Sequence, residues 1–188
     1  MTVARRGGGL AALGAITRQW GAPHRPPLPG IVWIGALLSA LAWLGGRDLG
    51  LLLIPPFAAT MTIVLFLPEA SVAQPFAVIA GSTLGTLIGT AATAGLGPGP
   101  ETAALAAVVA LAALPRLRAY HPPGVALALY PALLHPGPWF AVAVVLPFTL
   151  AVVASASLLS RWVASWPAYP LPLRPHQAHR APREIRFH

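Results

Sequence analysis

Long apolar runs separated by short turns are the feature that most limits what this chain can fold into. Six such runs lie at residues 31–44, 49–67, 76–94, 103–114, 125–134 and 139–159. Only 9% of the residues are charged, whereas a soluble domain normally carries about a quarter. So few charges cannot cover a water-facing surface. The sequence therefore predicts an all-α membrane protein whose main partner is the lipid bilayer.

The positive charge is distributed as in a multi-pass membrane protein. The net charge is +8, and all twelve basic residues are arginines, which lie near the two ends and in the turns. Basic residues concentrate on the cytoplasmic side of a membrane. We therefore expect a bacterial inner membrane protein with both termini in the cytoplasm and an even number of crossings. Nucleic-acid binding is not expected, because no basic helix face carries interleaved aromatic residues.

No arrangement of residues typical of an enzyme site appears in the sequence. The chain has no cysteine and no lysine, which excludes thiolate, disulfide and Schiff-base chemistry. Its four acidic residues stand apart in turns or in the tail, so that paired carboxylate catalysis lacks a second member; they are Asp48, Glu69, Glu101 and Glu184. We therefore expect no enzymatic activity, no cofactor and no metal site.

Two Pro-Pro pairs interrupt apolar runs. A helix does not easily pass through Pro55-Pro56 or Pro122-Pro123, because proline has no N–H and its ring clashes with the preceding turn. Proline fits well in the first turn of a new helix. Each pair is therefore predicted to end one helix and to open a short one. The first short helix is predicted over 57–67, and the second from the Pro122-Pro123 pair to residue 134. Pro147 is predicted to kink the last segment.

The two Pro-Pro pairs belong to an internal repeat. Each half, at about 31–94 and 101–165, reads as an apolar segment, a Pro-Pro break, a short helix, a turn and a long helix. Paired short, proline-interrupted segments in two halves indicate a transporter binding site. In the long helix of the first half, Gly81, Gly85 and Gly89 share one face, which predicts close packing by another helix.

Three regions and two topologies follow. Residues 1–29 are predicted to be a basic, Pro/Gly-rich leader, 30–166 the transmembrane domain, and 167–188 a disordered basic tail. If both short helices cross the membrane, there are six spans and Arg116 and Arg118 face the cytoplasm. If the short helices are re-entrant, there are four spans and this pair faces outward. We favour six segments, two of them short or broken.

Candidate site residues cluster at the predicted breaks. A helix N-terminus presents free N–H groups and a positive dipole end, which attract anions. The backbone candidates are Pro55, Pro56, Pro122, Pro123 and Gly124, and the hydrogen-bonding side chains near them are Thr60, Gln74, Ser82 and His121. A histidine can carry a proton near neutral pH. The alternative is structural: hydroxyls commonly bond back to their own helix, and a glutamine can anchor a loop.

Three stretches resemble the HPP family of small integral membrane proteins. They are His121-Pro122-Pro123, the stretch 56–60, and the stretch 73–82, where Phe76, Ala77 and Ser82 replace an arginine, an asparagine and a histidine of the family pattern. Plastid and cyanobacterial members are associated with nitrite transport. The resemblance implies a small transporter or channel-like protein for nitrite or a related anion, which we expect to form a homo-oligomer.

A non-transporting membrane scaffold or accessory subunit is the alternative function. Transport predicts that the helix starts at Pro56 and Pro123 face each other across a polar cavity. Tight packing at both positions favours the scaffold.

Overall fold

The computed structural model describes residues 26–44 and 47–171, with the backbone alone at 47–52. All regular structure in these ranges is helical, which confirms the predicted all-α class. The α-helices are α1 (Leu28–Leu44), α2 (Arg47–Phe66), α3 (Pro75–Leu96), α4 (Pro100–Arg116), α5 (Pro122–Leu127), α6 (Tyr130–Leu134) and α7 (Leu146–Trp162). A short 3₁₀ turn, Ser71–Ala73, precedes α3, and a π-helical segment, Ala141–Val145, leads into α7.

Two of the described helices are long and apolar enough to cross a bilayer on their own. They are Pro75–Leu96 and the continuous stretch Ala141–Trp162, each of 22 residues. An α-helix rises about 1.5 Å per residue, so that each can reach across a ~30 Å hydrocarbon core.

Helix α2 runs straight through the first Pro-Pro pair, so the predicted break at Pro55-Pro56 is wrong. The two prolines remove two backbone donors from the helix interior. Tertiary packing holds the helix together across them. The next residue, Phe57, is fully buried, and its ring centroid lies 4.3 Å from that of Phe148 on α7. The region 57–67 is therefore the second half of a longer helix rather than a separate short one.

The corresponding segment in the second half begins at a break. Pro122 opens α5, as predicted. The predicted helix up to residue 134 is also present: Ala128 and Leu129, between α5 and α6, keep a right-handed helical backbone, and Pro122–Leu134 forms one short apolar helix. Pro131 only removes one bond inside it, because it has no N–H to offer the carbonyl of Leu127. Only one of the two predicted proline-broken segments is therefore broken.

A π-helical turn precedes Pro147, where the sequence predicts a kink. The backbone widens over Ala141–Val145, and Pro147 follows as the second residue of α7. A widened turn accommodates a position where the regular i to i−4 bond is missing.

Buried contacts place the start of α1 and the end of α7 at the same end of the bundle. Trp33 near the start of α1, Leu65 at the end of α2 and Val78 at the start of α3 belong to one core cluster. Ala156 and Trp166, from the end of α7 and the chain after it, belong to the same cluster. We call this the terminal end of the bundle.

The broken segment α5–α6 runs parallel to α3 and reaches the opposite end. Glycines along α3 face successively later positions of the broken segment: Gly81 faces Ala119 and Gly89 faces Ala128. At the far end, the N–H of Gly99 donates to the carbonyl of Ala132 at 3.2 Å. The turn at 116–118 therefore lies toward the terminal end, which favours the six-segment arrangement.

The first residues of the predicted tail pack against the bundle. Tyr169 is buried, its hydroxyl donates to the carbonyl of Ala73 at 2.9 Å, and its N–H donates to Ser160 Oγ at 2.8 Å. The assignment of 167–171 to a disordered tail is wrong, because Tyr169 is buried and bonded to Ala73. This partner is distant in sequence, so that the local sequence does not indicate it. Residues 1–25 and 172–188 lie outside the described residues, so that the leader and the rest of the tail stay predictions.

Candidate functional site

His121 lies fully buried at the break that opens α5. Its backbone is extended (φ −135°, ψ 112°), as the residue before Pro122 must be. Ring atom Nδ1 lies 2.8 Å from the carbonyl oxygen of Val72 in the 3₁₀ turn, and Nε2 lies 3.0 Å from Thr60 Oγ1 on α2. One side chain therefore joins α5, α2 and the 3₁₀ turn.

The hydrogens available to this centre determine how it is bonded. Carbonyl oxygens only accept, so Nδ1 of His121 carries a hydrogen and donates it to Val72. Thr60 Oγ1 also lies 3.0 Å from the carbonyl oxygen of Pro56. Its single hydrogen can go to Pro56 or to Nε2. With a neutral ring, either the Thr60–Pro56 or the Thr60–Nε2 contact lacks a hydrogen. With a ring protonated at both nitrogens, these two contacts and the one to Val72 each have a hydrogen.

The glycine face of α3 brings the backbone of the broken segment against it. A Cβ built on Gly81, Gly85 or Gly89 would collide with a backbone carbonyl oxygen of the α5–α6 region. Gly124 is equally constrained by the backbone of Gly81. The predicted packing role of this face is confirmed, because only glycine allows the two backbones to approach this closely. This packing positions His121.

Ser82, the next residue on α3, carries a buried hydroxyl without a hydrogen-bond partner. In the described part of the chain it is the single buried side-chain oxygen or nitrogen of which this is true. Its backbone nitrogen lies against Gly124. Neighbouring hydroxyls bond back to their own helices, Thr86 to the carbonyl of Ser82 and Thr149 to that of Val145. The Ser82 hydroxyl therefore has an unused donor and an unused acceptor.

Gln74 anchors its own loop. Its amide nitrogen donates to the carbonyl oxygens of Pro68 at 3.0 Å and Ala70 at 3.3 Å. Of the two roles left open by the sequence, the loop-anchoring hydrogen bond is the one observed. Gln74 acts on the centre indirectly, since this loop presents the Val72 carbonyl to His121.

The structure brings some of the candidate residues together and separates others. His121, Thr60 and the carbonyl of Pro56 share one hydrogen-bond chain. Gly124, three residues after His121, packs against the backbone of Gly81 and Ser82. Pro123 is buried in α5. Pro55 and Pro122 are exposed.

Two contributors were missed by sequence reasoning. Val72 contributes only its backbone carbonyl, and the identity of a side chain does not indicate that its backbone will accept a hydrogen bond. Tyr169 supports the same turn through Ala73 from far along the chain, and its place in an apparent tail concealed it.

The centre itself is closed. Cavities among the described residues lie elsewhere: two at the ends of the bundle, and one of about 440 Å³ between α1 and the stretch 143–151. One of about 630 Å³ at the terminal end is lined by residues that include Leu67, Glu69 and Ser165. Another of about 240 Å³ at the opposite end is lined by residues that include Thr90 and His135. His121 lines neither of them. In the described ranges, the expected pair of facing helix starts is not present, since Pro56 lies within a continuous helix.

Neutral groups surround the buried ring. The charged residues of the adjoining turns, Glu69, Arg116 and Arg118, are exposed, and α3 contains no charged residue. Among the described residues no group of three or more His, Cys, Asp or Glu side chains is placed to hold a metal ion. The arrangement suits hydrogen bonding.

Comparison with known proteins identifies the chain at the family level. A family model described as "HPP, transmembrane region" matches residues 23–170, which is most of the chain. Neither the curated proteins nor the solved structures gave a significant match.

Proposed function

Because this chain belongs to the HPP family of integral membrane proteins, we propose that it carries a small polar solute across the membrane, with nitrite and related anions as the first candidates. The observation that supports this proposal is the unpartnered hydroxyl of Ser82, which lies fully buried beside the break at His121. A buried polar group without a partner is costly, and natural proteins retain few of them.

The ionisable side chain strengthens this proposal. Ionisable residues are rare inside membrane domains and usually mark a pathway for ions or solutes. His121 precedes a helix whose first two residues, Pro122 and Pro123, have no N–H, and the N–H of Gly124 donates to the carbonyl of His121 at 2.8 Å. A helix break at membrane depth is tolerated only where protein or a watery cavity surrounds it. A solute that enters from either end would reach its binding site at this centre.

The closed centre fits a transporter between its two open states. One cavity lies at each end of the bundle, and backbone contacts of Gly81 and Gly85 close the region between them. A small outward movement of α5 relative to α3 would part these contacts and expose Ser82. We place the protein in a bacterial inner membrane as a multi-pass homo-oligomer, with both termini in the cytoplasm.

Uptake by proteoliposomes tests this function. The full chain is reconstituted, and uptake of nitrite and nitrate is compared with that of protein-free vesicles. We expect uptake above the vesicle background, reduced about tenfold or more in Thr60→Val, which removes the hydroxyl bonded to His121. The matched control is Thr62→Val on the same helix, because the Thr62 side chain is exposed and bonds only to the carbonyl of Ala58.

A scaffold or accessory subunit is the second candidate, and the tight packing of α3 against α5 favours it. Uptake equal to that of empty vesicles across the anion panel, from protein that remains folded, would reject transport of these solutes and leave the scaffold as the better account.

A further inference from the structure

The hydrogen bonds of His121 are already arranged to receive a proton. Nδ1 donates to Val72 at 2.8 Å whatever the state of Nε2. When a proton adds to the lone pair of Nε2, this nitrogen becomes a donor to Thr60 Oγ1 at 3.0 Å. The Thr60 hydrogen then points to the carbonyl of Pro56, also at 3.0 Å. No non-hydrogen atom has to move, and the contacts of His121 with Val72 and Thr60 and of Thr60 with Pro56 then each have a hydrogen.

The bound proton has no counter-charge in the closed centre. In the described part of the chain, the ring nitrogens contact the hydroxyl of Thr60 on α2 and the carbonyl of Val72, and Gly81 on α3 lies against Cβ of His121. None of them is ionisable. Titratable and charged groups on the adjoining segments lie farther off: Tyr120 precedes the ring in the chain, Tyr169 is bonded to Ala73, and Glu69, Arg116 and Arg118 are exposed. A charged ring buried among neutral groups carries a large desolvation penalty.

An anion bound beside the ring removes this penalty. The Ser82 hydroxyl is buried, without a partner, and available to donate to such an anion. A proton on His121 and an anion at Ser82 form a pair with no net charge. By linkage, each ligand then raises the affinity of the site for the other by the same factor.

We propose that His121 is the proton-binding site of a coupled carrier, in which one proton and one small anion bind together at the His121–Ser82 centre and cross as a neutral pair. This inference rests on the proposed transport function and adds the coupling ion and its residue. The chemistry is a reversible proton addition to Nε2, with no change in any other covalent bond.

The test uses the full chain in proteoliposomes with nitrate as the probe, and with nitrite in a parallel series. An inward proton gradient of about one pH unit is expected to raise the final accumulation of anion up to about tenfold, because one pH unit corresponds to about 1.4 kcal/mol. A membrane potential set by potassium and valinomycin is expected to change accumulation little, because the pair is neutral. Anion addition should also draw protons into the vesicles, measured with an enclosed pH dye.

Variants connect the coupling to the residue. His121→Gln retains a hydrogen-bonding amide but cannot take up a proton at neutral pH, so we expect the response to the proton gradient to disappear. The exposed-face control Thr62→Val should retain it. Should His121→Gln fail to fold, the wild-type response to gradient and potential still decides whether a proton is coupled to the anion, and His121→Asn, a second neutral amide, tests the residue.

The outcomes separate the two proposals. Anion uptake that follows the membrane potential and ignores the proton gradient overturns proton coupling and leaves transport standing. A His121→Gln protein that keeps the full gradient response overturns the assignment to His121. Absence of uptake under all gradients overturns the transport function itself.

Discussion

Buried hydrogen bonds from single side chains connect parts of the chain that are far apart in sequence. His121 reaches Val72 and Thr60, and Tyr169 reaches Ala73, so that both rings fix the short 3₁₀ turn from different directions. Gln74 fixes the loop around the same turn from within. A buried hydrogen bond of this type typically adds about 1 kcal/mol to stability. The turn is therefore held by several side chains although its own sequence is unremarkable.

The phenol of Tyr169 should make stability depend on pH in the alkaline range. Burial raises the pKa of Tyr169 above its usual value. In the unfolded chain the phenol ionises near pH 10, whereas in the folded protein it stays neutral. The contribution of this group is therefore complete below about pH 10 and is lost as the pH rises further.

Thermal unfolding in detergent between about pH 8 and pH 11 tests this expectation. Tyr169→Phe should be less stable than the wild type by about 1 kcal/mol at pH 8, because the bond to Ala73 is lost. The difference should shrink above about pH 10. The remaining tyrosines are common to both proteins and cancel. Parallel stability curves for the two proteins over this range would show that Tyr169 is not held neutral by the fold.

Among the elements, α3 determines the arrangement of its neighbours. Its glycine face admits the backbone of α5, while its adjacent Val78 packs in the core cluster with α2 and α7. Without side chains at Gly81 and Gly85, α3 and α5 are held by direct backbone packing, which dispersion makes favourable in a membrane.

A methyl group added to this face should separate the two elements. Gly85→Ala is expected to destabilise the protein by about 1–3 kcal/mol, because its Cβ would collide with the backbone of Gly124. The matched control is Gly35→Ala on α1, where no atom lies within 4 Å of the added carbon. That change should be neutral or should stabilise by up to about 1 kcal/mol, because alanine favours helix more than glycine does. Equal unfolding temperatures for the two variants would argue against close packing of α3 on α5.

For the molecule as a whole, the segment from 119 to 134 can cross the membrane although its helix is short. Residues 122–134 would rise about 20 Å as a helix. The non-helical residues 119–121 add up to about 10 Å. Together they match the ~30 Å core that a full span requires. The short length of this segment therefore does not argue for a re-entrant loop, and its parallel course along α3 supports a crossing.

The cysteine-free sequence allows a direct test of topology. Leu117→Cys and Leu96→Cys each introduce a single thiol, at side chains that are 53% and 64% exposed. With six crossings, a membrane-impermeant maleimide should label Leu117→Cys from the cytoplasmic side and Leu96→Cys from the outer side. Labelling is measured on inside-out and right-side-out vesicles. Labelling of Leu117→Cys from outside would instead support the four-span topology.

Patterns that involve one helix or one composition class were readable from the sequence. The apolar runs predicted an all-helical membrane protein, because backbone N–H and C=O groups in hydrocarbon must bond to each other, and a helix allows this within one segment. The spacing of Gly81, Gly85 and Gly89 predicted a packing face, and His121-Pro122-Pro123 predicted a helix start. Each of these signals depends on residues that are close in sequence.

Long-range packing decided the rest. The dipeptide Pro-Pro lies inside α2 at 55–56 but begins α5 at 122–123. The difference arises because the buried contact of Phe57 with Phe148 holds the first pair within a helix, and a contact between distant residues is not visible in the local sequence. Likewise, Thr60 and Ser82 have the same local chemistry, yet the fold bonds Thr60 to His121 and leaves Ser82 without a partner. Which polar groups are satisfied is determined by distances between elements, and these distances exist only in the tertiary structure.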